Sequence, residues 1–123
     1  MVSLTPIALK ERDVPAEFAL TSATQESGAG DYGAKYPVCL DSGRVTVIIE
    51  NGTSGGGAAD IDVVLEAGDT QFALEETIEV PSGKAVALNV DNGKHKNILD
   101  ANKGYVILTS SSPFKAAVIE NAV

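Results

Sequence analysis

The chain has no tryptophan, a single cysteine and a single histidine. With Cys39 alone, an intrachain disulfide and any cysteine-based zinc site are excluded. With His95 alone, a multi-histidine metal centre is excluded as well. Aromatic residues make up only 5% of the sequence, so the core has to be built from Val, Ile, Leu and Ala. Basic residues are also scarce: nine Lys and Arg stand against 17 Asp and Glu, for a net charge of −8. Nucleic-acid binding rests on Lys and Arg neutralising phosphates, so no nucleic-acid partner is expected. The acidity reads first as a soluble, self-repelling surface. No apolar run approaches the ~20 residues that a membrane-spanning helix needs. The start, Met1-Val2-Ser3-Leu4-Thr5-Pro6, lacks the basic and then apolar pattern of a signal peptide. No membrane partner is expected, and synthesis in the cytoplasm is.

What is present is a rhythm of short strands and turns. The length of 123 residues fits one domain spanning 1–123. In 44–51, Val45, Val47 and Ile49 share one face, and Thr46, Ile48 and Glu50 the other. In 60–66, Ile61, Val63 and Leu65 point inward, with Asp60, Asp62 and Glu66 outward. Such period-two alternation marks half-buried strands. The stretch 75–90 reads as strand, tight turn, strand. Ile78 and Val80 alternate with Thr77 and Glu79, Pro81-Ser82-Gly83 breaks the run, and Val86, Leu88 and Val90 share the next face. Proline presets φ for the first corner of a turn, and glycine accepts the positive φ of a later one. Further strands are expected over 105–109 and 114–120, and weaker ones over 17–21 and 94–99. About eight or nine short strands at even spacing are the signature of an all-β sandwich or barrel.

Two regions stand apart. Residues 1–14 read as an extended N-terminal arm or edge strand. Pro6 cannot donate to a ladder, and Leu4 and Ile7 flank it. Exposed strand edges invite pairing, so Leu4, Pro6 and Ile7 are candidate contacts to a neighbouring subunit. Residues 22–36 carry Gly28, Gly30 and Gly33 and read as a long loop. Its Tyr32 and Tyr36 are candidate contact residues, because tyrosine is enriched at interfaces, and packing onto the protein's own sheet is the equal alternative.

Chemistry is thinly represented. A Cys39–His95 dyad is conceivable. But Cys39 lies between Val38 and Leu40, where a lone cysteine serves as a small hydrophobe, and His95 between Lys94 and Lys96 reads as a solvated loop residue. The glycine-rich 51–60 lacks the Gly-Lys-Ser/Thr ending of a phosphate loop, and no helix follows it. Its Asn51-Gly52-Thr53 matches a glycosylation acceptor, a pattern without force where no secretory signal is seen. In 100–104 the glycine falls fifth, whereas a calcium loop needs it sixth, so a turn is the better account. The Asp60/Asp62 pair shares a strand face, which suits solvation or a partner's basic patch better than acid–base work. No catalytic residue, cofactor or metal is expected.

The order of segments over about 40–120 resembles a known family. A hydrophobic strand follows Asp41-Ser42-Gly43. An Asn-Gly loop and a second strand come next, then Thr77-Ile78-Glu79-Val80-Pro81-Ser82-Gly83-Lys84. The sequence continues with Asn102-Lys103-Gly104-Tyr105-Val106-Ile107-Leu108-Thr109 and a terminal Lys115-Ala116-Ala117-Val118-Ile119-Glu120 strand. This resembles the small head decoration, or cement, proteins of tailed bacteriophages. The resemblance implies a jelly-roll-like, antiparallel β-sandwich without enzymatic activity. It also implies a homotrimer on the capsid exterior of the virion, made in the host cytoplasm, with the major capsid protein as partner. The alternative is a carbohydrate- or receptor-binding β-sandwich module of a phage tail or fibre.

Overall fold

The computed structural model describes residues 1–9, 15–25, 31–38, 44–52, 59–68, 74–91, 95–98 and 103–120. Among them the protein is all-β, with eleven strands in two sheets packed as a sandwich. They are β1 (Val2–Ser3), β2 (Ile7–Ala8), β3 (Thr21–Ser22), β4 (Thr24–Gln25), β5 (Tyr32–Pro37), β6 (Arg44–Asn51), β7 (Ile61–Leu65), β8 (Glu76–Val80), β9 (Ala85–Asp91), β10 (Tyr105–Ser110) and β11 (Phe114–Glu120). The first sheet runs β1-β5-β10-β7-β8, with β4 also on β5. The second runs β2-β11-β6-β9, with β3 also on β11. Pairing is antiparallel except for β1 with β5 and β2 with β11, which are parallel, so both sheets are mixed.

The alternation in the sequence translates directly into burial. Val45, Val47 and Ile49 of β6 are fully enclosed, as are Val63 and Leu65 of β7 and Val106 and Leu108 of β10. With Phe114, Ala116 and Val118 of β11 they fill the space between the sheets. Burying each such side chain is worth about 1.5–3 kcal/mol. Three polar side chains are also enclosed, His95 (described below), Asn51 and Ser110. Asn51 Nδ2 donates to the carbonyls of Ala59 (2.8 Å) and Val80 (3.1 Å), tying the end of β6 to the end of β8 in the other sheet. Ser110 Oγ donates to the Asp62 carbonyl at 2.8 Å.

The stretch 75–90 is not a hairpin. β8 pairs with β7 in the first sheet and β9 with β6 in the second. The turn between them is a corner that carries the chain from sheet to sheet. Lys84 N donates to the Pro81 carbonyl at 3.0 Å, and Gly83 takes a φ of 72°. Pro81 therefore supplies the accepting carbonyl and not the first corner. Ser82 N donates to Asp60 Oδ1 at 2.9 Å, which anchors the corner to the start of β7.

The N-terminal residues behave as edge strands of their own chain. β1 lies on β5 and β2 on β11, so residues 2–8 pass from the first sheet to the second. Residues 21–25 cross back: β3 lies on β11, Ala23 N donates to the Phe114 carbonyl at 2.9 Å, and β4 lies on β5. Two straps thus close the side of the sandwich formed by β5 and β11. The opposite side, formed by β8 and β9, is joined at one end by the 81–84 corner and carries no added strand among the described residues.

Several expectations are corrected here. The span 22–36 is not one loop, because it contains β4 and most of β5. A strand over 17–21 is replaced by a segment without regular structure over 15–20 that ends in β3. Residues 95–98 form no strand. Residues 10–14 of the expected arm, Cys39, most of the glycine-rich 51–60 and Asp100, Ala101 and Asn102 lie outside the described residues.

Candidate functional site

The five residues expected at a contact surface fall into two groups. Leu4 and Tyr36 are buried within their own chain, Leu4 at 3% exposure and Tyr36 at 0%. Leu4 N also donates to the Lys35 carbonyl at 2.7 Å. Their side chains offer no contact in this fold. The reason is that 32–37 is a strand, and Ala34 and Tyr36 share its inward face beside Leu108 and Val106 of β10. Tyr32 is half-buried against the same core. Pro6 and Ile7 are half-buried on the strap, with Ile7 opposite Ile119.

The third tyrosine, Tyr105, faces out from the first sheet. Lys35 Nζ sits 4.5 Å from its ring centre, a cation–π contact that covers the aromatic face. Ile107, on the same outward side, is buried.

His95 is not solvated. It is 3% exposed, and its Nδ1 lies 3.2 Å from the Glu66 carbonyl. The segment 95–98 is held against the end of β7 and the start of β10. Asn97 N and Nδ2 both donate to the Tyr105 carbonyl, and Gly104 N donates to the Asn97 carbonyl at 2.7 Å. Gly68 is what permits the approach: a Cβ there would stand 2.1 Å from the Lys96 carbonyl oxygen. Val38, Lys96, Asn97, Ile98, Lys103 and Gly104 line a shallow cleft of about 190 Å³. Its described walls carry two lysines and an asparagine, and no carboxylate or histidine.

Glu66 is the one described residue whose carboxyl departs clearly from its ordinary range. Burial raises its pKa, a hydrogen bond from Thr109 Oγ1 (3.3 Å) lowers it, and the nearby Glu75 charge raises it again. The net direction is upward. The sequence placed Glu66 outward but could not reveal Thr109 or Glu75 as its neighbours, because both arrive through strand pairing.

Pairing also makes a contact that the sequence leaves hidden. β7 and β8 set Asp62 opposite Glu79 on the outer face of the first sheet. Like charges directly opposite on neighbouring strands destabilise a sheet. Among the described residues no group of three or more His, Cys, Asp or Glu side chains is arranged to hold a metal ion. No described helix is long and apolar enough to cross a membrane.

Comparison with protein-family models, with curated proteins and with solved structures finds no match.

Proposed function

We propose that this chain is a virion structural protein without enzymatic activity. It binds the outside of a tailed-phage capsid as a homotrimer and stabilises the head. The observation that carries the reading is where the resembling segments lie. The stretches over 40–120 that are similar to decoration proteins correspond to β6, β7, β8 with its Pro81-Ser82-Gly83 corner, β9, β10 and β11. They make up the body of the sandwich, so the resemblance follows the load-carrying framework and not a peripheral loop. The remaining strands are the straps and β5, which brace that body. A framework of this kind, with side chains committed to packing, suits a part whose task is to resist force.

The partner would be the major capsid protein, and the protein would reach the capsid exterior after synthesis in the host cytoplasm. The test is to mix purified protein with undecorated shells of its phage and to sediment them. Stoichiometric co-sedimentation and a shell more resistant to heat are expected. Protein that stays wholly in the supernatant overturns the proposal. The alternative, a carbohydrate-binding module, asks for exposed aromatic platforms. Among the described aromatic residues Tyr36 and Phe114 are buried, Tyr32 is packed on the core and Tyr105 lies under Lys35, which leaves Phe18, 48% exposed, as a single such face.

A further inference from the structure

We propose that the open edge of β8 is a docking site for an extended, basic segment of another protein chain, which adds a strand to the first sheet. This inference stands independently of whether the chain decorates a shell.

The backbone geometry comes first. β8 ends the first sheet, with no strand beyond it among the described residues. Glu66 N donates to the Ile107 carbonyl at 3.0 Å, so alternate residues of β7 (64 and 62) also turn their backbone groups to β10. Ile61, Val63 and Leu65 then turn theirs to β8, where they meet Val80, Ile78 and Glu76. The N–H and C=O groups of Thr77 and Glu79 therefore face away from the sheet. A row of outward backbone donors and acceptors is a template for strand addition.

The side chains specify what would be added. On the inner side, Ile78 is half-buried against the core at the unstrapped side of the sandwich. An apolar residue on an added strand would cover it. On the outer side, the exposed Glu79 stands opposite the exposed Asp62, with the exposed Glu75 just before the strand; Glu76, opposite Leu65, is exposed at the strand's start on the inner side. The sequence contains no Lys or Arg between Arg44 and Lys84, so β7, β8 and the segment joining them contribute acidic residues and no basic one. Basic residues alternating with apolar ones satisfy both sides at once. The Asp62–Glu79 repulsion then becomes an asset, because a cation placed beside it relieves two charges together.

A second copy of this chain is a poor occupant. Antiparallel pairing of β8 with itself about Thr77 sets Glu79 of each copy against Glu75 of the other, and pairing about Glu79 sets the two Glu79 side chains against each other. The same charges therefore protect the edge from self-association.

The test uses the full chain, isotope-labelled for amide NMR, at low salt. Two blocked hexapeptides of identical composition are titrated in: one alternating Lys and Val, the other with three Lys followed by three Val. The expected result is that the alternating peptide shifts the Thr77 and Glu79 amides and slows their hydrogen exchange, and that the block peptide binds at least about tenfold more weakly. Glu79→Lys should weaken the alternating peptide by about tenfold while leaving the thermal midpoint unchanged or higher, since it also removes a like-charge pair. Equal binding of the two peptides would mean electrostatic adsorption only and would overturn the proposal. So would shifts confined to other strands, no binding at all, or a peptide-free dimer formed through β8. A Glu79→Lys chain that is less stable than the parent would remove the argument from repulsion.

Discussion

Glu66 illustrates how one carboxylate is set by neighbours that lie far away in sequence. It follows β7 directly, half-buried, with Thr109 from β10 donating to it and Glu75 close enough to repel it. A carboxyl whose pKa is raised on folding holds its proton in the native state when the unfolded chain has already lost it. Its favourable contribution is complete below the unfolded value and is lost as pH rises through the higher folded value. Glu66→Gln removes the ionisation and keeps an oxygen for Thr109. The variant should match the parent in urea unfolding near pH 4 and exceed it at pH 7. An identical pH dependence for the two chains would show that Glu66 is not the group responsible. In the sequence, Glu66 was legible only as an outward residue at a strand end. Burial on an outer sheet face depends on what neighbouring strands place around it.

The elements show where local pattern is sufficient and where it fails. In β6 through β9 the period-two pattern named the inward residues correctly. Val45, Val47, Ile49, Ile61, Val63, Leu65, Val80 and Val90 are all buried. Which strand lies beside which was not legible. Residues 75–90 look like a hairpin because two strands flank a short turn, yet the turn is a corner and the strands belong to different sheets. The choice is made by the long-range ladders of β9 on β6 and β8 on β7, each of which outweighs what a local hairpin offers. The segment 95–98 teaches the same point through a glycine. Gly68 is needed for closeness and not for a special φ, since the backbone of 95–96 fills the space a Cβ would take. Gly68→Ala should cost about 1–3 kcal/mol, as overpacking does, unless the segment detaches. Urea unfolding gives the cost. Faster amide exchange at Asn97 and Gly104 would report the detachment. A variant as stable and as protected as the parent would contradict the close approach.

At the scale of the whole molecule, the sandwich has a closed side and an open side. Residues 2–8 and 21–25 strap β5 to β11, whereas β8 and β9 are joined at one end by the 81–84 corner and carry no added strand among the described residues. Leu4 is the buried anchor of the first strap. Leu4→Ala should lower stability by about 2–4 kcal/mol, the cost of a large-to-small change in a core. The loss should appear as a single cooperative shift in a denaturant melt. A change within about 0.5 kcal/mol, the size of an ordinary surface substitution, would mean that the strap adds nothing to the core. The N-terminal arm was read as reaching for a neighbour because Pro6 and its flanking apolar residues mark an edge. The arm does form edge strands, each paired on one side with a strand of its own chain.

By itself, the sequence determined that the protein is all-β, which faces of its main strands are apolar, and which metal and disulfide chemistries are excluded. These properties depend on residue type and on a repeat of two, both of which are local. Only the tertiary structure decided that Tyr36 and His95 are buried, that the Pro81-Ser82-Gly83 corner joins two sheets, and that Asp62 meets Glu79. Each of these rests on residues brought together from distant parts of the chain. Strand alternation says which way a side chain points, but the neighbour it meets is chosen by the sum of contacts over the whole sheet.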